Sequence, residues 1–157
     1  MIYVGDQIYL NYMNWEGKEK FVEFLNKKSF TKHSFRDLVY LKILAVLQEY
    51  GVKKEMFSAL KKSFYQEKQD ETGDDLDTMF TSEVAIGCVM MGIEITLSFT
   101  PSGEATFYDP QNFCTLRNPN MSHFLWIALQ SIVNEILVSI KKEPIEIKTG
   151  LINIVQN

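Results

Sequence analysis

Cysteine and histidine are scarce in this chain of 157 residues, with two of each. Cys88 and Cys114 fit neither a disulfide framework nor a metal-ligand spacing. Thiols in such a context behave as small buried hydrophobes. His33 and His123 lie far apart, and neither has a second ligand or nucleophile at a spacing that builds a metal site or a catalytic dyad. No nucleophile elbow, P-loop or glycine fingerprint occurs. Asp74 and Asp75 are paired but sit in a polar, glycine-containing stretch, not in a plausible acid–base site. The expectation is a protein that is not an enzyme and uses no cofactor and no metal. Long apolar runs are missing too: Lys, Glu, Asn or Gln interrupts each one before the roughly 18 residues a membrane helix requires. The opening "MIYVGDQIYLNYMNWEG" carries an early acid and no basic region, so neither a signal peptide nor a membrane partner is expected. Few cysteines and seven methionines suit a reducing, cytoplasmic location.

What is present is apolar material and an uneven charge. Hydrophobic residues make up 46% of the chain and aromatics 13%, ample for a packed core. The net charge of −4 divides into three zones. Residues 1–66 hold 11 Lys/Arg against seven Asp/Glu, residues 67–83 one against seven, and residues 84–157 four against six. A mildly basic front is thus followed by an acidic belt and a near-neutral back. The whole is less basic than most strong nucleic-acid binders, although a dimer would present two basic heads together.

Periodicity places the elements. "MIYVGDQIYLNY" alternates around Gly5-Asp6 as a short hairpin would. "WEGKEKFVEFLNKK" spaces Phe21, Val22, Phe24 and Leu25 as an amphipathic helix, with Trp15 as an anchor. Ser34 and Asp37 form a capping box that opens the next helix, and Gly51 ends it. Its apolar residues cover much of the circumference, which predicts a central helix. A second helix runs from about Lys53 to Tyr65 with Met56, Phe57, Leu60 and Phe64 in one stripe. "QEKQDETGDDLDTMF" reads as an exposed acidic linker over 67–80. In "EVAIGCVMMG" strand and helix stay open, because periodicity alone does not choose between them. "IEITLSFT" and "EATFYD" flank Pro101-Ser102-Gly103 as a hairpin. "SHFLWIALQSIVNEILVSIKKE" is a helix with room for a short strand before it; Ile127, Ser131, Ile132, Ile136 and Ile140 trace one face, Lys141 and Lys142 suit its C-terminal dipole and Pro144 stops it. "IEIKTGLINIV" suggests a last strand pair around Thr149-Gly150. Met90, Met91, Phe99, Phe107, Tyr108, Phe113, Phe124 and Trp126 suit a core or a dimer interface, with a ligand pocket as the alternative.

The segment "SFRDLVYLKILAVLQEYGVKKEMFSALKKSF", residues 34–64, resembles the second half of the winged-helix head of MerR-like transcriptional regulators. Ser34, Phe35, Asp37, Leu38, Leu41, Leu44, Leu47, Gly51, Val52 and Leu60 occupy the matching places. "IALQSIVNEILVSI" is similar to the end of a small C-terminal module in some of those proteins, through Leu129, Ile132, Val133, Glu135 and Ile136. The resemblance implies an α+β protein with a modified, helical winged-helix-like domain over 1–66. An acidic linker over 67–80 and a strand-hairpin-plus-helix module over 81–157, for dimerisation or sensing, would follow. It implies a small DNA-binding regulator, a homodimer with double-stranded DNA as partner. In the family a wing Arg and Tyr approach the phosphates; Thr31 and His33 stand here, with Lys32 between them. The densest basic cluster, Lys27, Lys28, Lys32, His33 and Arg36, with Phe30 and Phe35 interleaved, is the candidate DNA-binding site. The other reading is an adaptor or antitoxin-like interaction module that keeps the helical scaffold without binding DNA.

Overall fold

The structure, a computed structural model, describes residues 10–65, 81–99, 105–108 and 125–147. Among the described residues, five bounded α-helices and a three-stranded antiparallel sheet give an α+β fold. The acidic linker, the Pro101-Ser102-Gly103 turn and the strand pair around Thr149-Gly150 lie outside the described residues, as do Cys114, Phe113, His123 and Phe124.

The hairpin turn expected at Gly5-Asp6 also lies outside the described residues; of that stretch residues 10–12 are described, and with residue 13 they are helical. The Tyr12 ring is fully buried and meets Phe21 edge-on at 6.2 Å, so aromatic packing overrides the apolar–polar alternation. Helix α1, Lys18–Asn26, buries Phe21 and Leu25. Helix α2, Phe35–Glu49, starts at the expected capping box: Asp37 N–H donates to Ser34 Oγ at 3.1 Å, and Ser34 N–H donates to Asp37 Oδ2 at 3.0 Å. It packs on α1, on α3 (Phe57–Phe64, entered through a 3-10 turn at Lys54–Met56) and on the last helix, the central place its apolar girth predicted.

The undecided segment is a helix, α4, Ser82–Met90. Thr81 Oγ1 caps it by accepting the Val84 N–H at 3.3 Å, and its residues 84–89 are buried on all sides. A helix with no polar face carries no 3.6-residue signal, which is why the pattern stayed ambiguous. Strand β1, Thr96–Phe99, lies between β2, Ala105–Tyr108, and β3, Leu125–Ala128. Register sets Leu97 opposite Phe107 on one side and Ile127 on the other, a buried row facing the helices. Ile127 therefore belongs to a strand rather than to the helix face expected of it. Helix α5, Leu129–Ser139, follows β3 directly and buries Leu129, Ile132, Val133, Ile136 and Leu137, while Ser131 is exposed. Beyond it the Asn134 side chain holds the backbone of Ile145, donating to its carbonyl at 3.1 Å and accepting from its N–H at 2.7 Å.

One buried cluster joins Tyr12, Phe21, Phe35, Ile43, Leu60 and Phe64 to Val84, Leu97, Phe107 and Val133. Both segments that sequence sets apart contribute to it. Among the described residues no helix is long and apolar enough to cross a membrane.

Candidate nucleic-acid interface

Between α1 and α2 the chain makes a miniature hairpin. Phe30 and His33 exchange both backbone hydrogen bonds, at 2.9 and 3.0 Å. Thr31 and Lys32 form its tip with φ of +52° and +70°. Two consecutive left-handed residues define the tight two-residue turn whose twist suits antiparallel chains, a place where Asn-Gly is the relaxed choice. A non-glycine residue there costs about 1–2 kcal/mol, and a β-branched one such as Thr31 is rarer still. Aromatic packing holds the turn from beneath: the Phe24 ring lies 6.5 Å from Phe30 and 4.8 Å from Phe35.

Lys27, Lys28, Lys32 and His33 are all exposed on this loop, and residues 27–33 include no acid. Arg36 does not join them. It is 7% exposed, and its Nη2 lies 3.9 Å from Glu83 Oε1 at the start of α4. The cause is helical register: Arg36, Val39, Tyr40, Ile43 and Leu47 form the buried stripe of α2. Arg36 is thus a core ion-pair residue, and its place in the phosphate-contacting group is corrected on that ground.

Glu83 also accepts a hydrogen bond from the Tyr12 hydroxyl at 2.7 Å. Burial pushes the Tyr12 phenol well above its ordinary range, and the Glu83 carboxylate adds to that. A second knot sits at the start of α2, where the Asp37 carboxylate accepts from the Tyr65 hydroxyl as well as from the Ser34 N–H. Burial raises the Asp37 carboxyl, but hydrogen bonds from Ser34 and Tyr65 and the charge of His33 outweigh it and leave Asp37 below its usual value.

Sequence reasoning missed one cation beside this loop. Lys142, just past α5, places its Nζ 5.5 Å from the centroid of the Phe24 ring, on which Phe30 also packs. Lys142 and Lys20 line a shallow groove of about 300 Å³ together with Trp15, Phe21 and Phe24. No spacing within the chain links residues 20, 24 and 142; only tertiary packing does.

A second groove, about 360 Å³, runs between α2 and the β3–α5 corner. Tyr50 and Trp126 line it and are 71% and 56% exposed. Lys42 and Glu135 pair at 3.1 Å between the same two helices. Phe99 and Phe107, from the aromatic set of the back half, are core residues instead. Among the described residues no His, Cys, Asp and Glu side chains gather into a group of three that could hold a metal ion. Compared with known protein families, curated proteins and solved structures, the chain matches none.

Proposed function

We propose that the protein is a small regulator that binds double-stranded DNA through the phosphate backbone, using the 27–33 hairpin as a short wing. The observation that carries this reading is the acid-free loop in which Lys27, Lys28, Lys32 and His33 are exposed around a rigid two-residue turn. Phosphate contact needs long cationic side chains whose binding releases condensed counterions. A loop fixed by two hydrogen bonds and an aromatic base loses little entropy when it docks. The outer face of α1 carries Glu19 and Glu23, both exposed, which disfavours that helix as a reader of bases. The contact is therefore one of backbone positioning rather than base recognition. The resemblance of residues 34–64 to MerR-like regulators is in keeping with it.

The test is a salt titration of binding to a labelled random-sequence duplex. Log affinity should fall linearly with log salt at a slope of about −0.9 per phosphate contacted. Reversing Lys27, Lys28 and Lys32 to Glu should abolish binding with the fold intact. A folded wild-type chain that ignores the duplex at low salt overturns the proposal.

The groove beside Tyr50 and Trp126 favours a second reading, a protein-interaction module that docks a partner or a second copy of the chain. Trp126→Ala tests that face. Loss of self-association with duplex affinity per chain unchanged assigns that face to a dimer, whereas an unaltered monomer removes the face from consideration.

A further inference from the structure

Three helices of this protein end in the same way, and the third breaks the rule that the other two obey. Past α2, the Gly51 N–H donates to Gln48 O and the Val52 N–H to Leu47 O, both at 3.0 Å. Past α4, the Gly92 N–H donates to Val89 O at 2.8 Å and the Ile93 N–H to Cys88 O at 2.9 Å. Past α5, the Lys141 N–H donates to Val138 O at 3.0 Å and the Lys142 N–H to Leu137 O at 2.8 Å. Each is the paired-bond helix stop that needs one left-handed residue. Glycine fills that place twice, at φ +82° and +90°, whereas Lys141 fills it at φ +63°.

Among the described residues, the non-glycine residues with positive φ are Thr31, Lys32 and Lys141. The two lysines of this set are both linked to Phe24: Lys32 is in the turn closed by Phe30, which packs on the Phe24 ring, and Lys141 precedes Lys142, whose ammonium lies over that ring. Strained backbone held by its surroundings clusters at functional positions, because glycine would otherwise be the relaxed choice. Both corners spend that strain on an exposed cation. Glu143, next in the chain, is exposed too and tempers the charge without moving the two lysines.

We infer that the DNA-contacting surface crosses from the hairpin over Phe24 to the end of α5, with Lys141 and Lys142 supplying phosphate contacts. This inference rests on the backbone-binding function proposed above and extends it into the C-terminal half of the chain. Charge complementarity selects the occupant: a polyanion satisfies Lys20, Lys32, Lys141 and Lys142 together, and its phosphates need no cavity deeper than the shallow groove that Lys20 and Lys142 line.

Lys141→Gly provides the discriminating test. Glycine relaxes the helix stop, so its thermal midpoint should equal or exceed that of the wild type. Its salt slope on the random-sequence duplex should nevertheless become shallower by about 0.9, the signature of one lost phosphate contact. Lys142→Gln should flatten the slope by the same amount, and Lys142→Arg should restore it, since Arg keeps both the charge and the stacking on Phe24. A role confined to covering Phe24 would instead lower stability in Lys142→Gln and leave the slope unchanged. Wild-type binding that the 27–33 charge reversal abolishes, with slopes unaltered in Lys141→Gly and Lys142→Gln, overturns this inference alone. No salt-dependent binding by the wild type overturns it together with the function on which it rests.

Discussion

Tyr12 and Gly87 depend on each other. A Cβ built on Gly87 would come within 2.3 Å of Tyr12 Cε1 and 3.1 Å of Phe21 Cε2. The Tyr12 ring has nowhere to retreat, being fully buried and tied to Glu83 through its hydroxyl. Gly87→Ala should therefore lower stability by about 1–3 kcal/mol in chemical denaturation, the usual cost of overpacking. The same change in a Tyr12→Ala background should cost much less, and equal costs in both backgrounds would disprove the contact. Arg36 teaches a related lesson in reading. Its neighbours in sequence, Lys32 and His33, suggest a basic cluster, yet its spacing to Val39, Tyr40 and Ile43 puts it on the buried stripe. Helical register was visible in the sequence and outranks charge proximity, because burial is decided by the face of the helix. What sequence did not contain was the partner that makes the burial tolerable, since Glu83 lies 47 residues further along, at the far end of the acidic belt.

Among the elements, those with chemical punctuation were readable and those without it were not. Ser34, Asp37 and Gly51 mark the two ends of α2, and the structure places its boundaries there. Alternation around a proper turn foretold β1 and β2. Helix α4 had almost no polar face, the short strand allowed before the last helix ran straight into it and left no boundary to read, and residues 10–13 are helical within an alternating stretch. The capping box also sets a pH response. The Asp37 carboxyl titrates below its ordinary value of 3.8 in the folded chain, so its stabilisation is complete above that value and is lost as the pH falls through the folded pKa. Asp37→Asn should cost about 0.5–2 kcal/mol at neutral pH, the range for a helix cap. That difference should shrink in thermal melts below pH 3.8. A gap that persists undiminished in acid would assign the effect to shape rather than charge.

For the molecule as a whole, continuity of the core matters more than the charge zoning that suggested separate modules. Phe64 on α3 meets Phe107 on β2 at 6.1 Å, Tyr12 reaches Glu83 on α4, and Lys42 on α2 pairs with Glu135 on α5. Contacts of this kind on every side predict a single cooperative unfolding transition, with equal calorimetric and van't Hoff enthalpies. Polypeptides divided within the acidic belt should fail to fold separately, and two independent transitions would refute the shared core. The candidate interface shares this dependence, because Phe24 and Lys142 meet only when the front and back of the chain are packed together. The groove at that junction also has an optical consequence. Trp15 stands in its wall with Lys20 and Lys142, while the other tryptophan, Trp126, sits at the far corner by Tyr50. A Trp126→Phe chain would carry a single indole, and its emission would report on what occupies the groove without any attached dye.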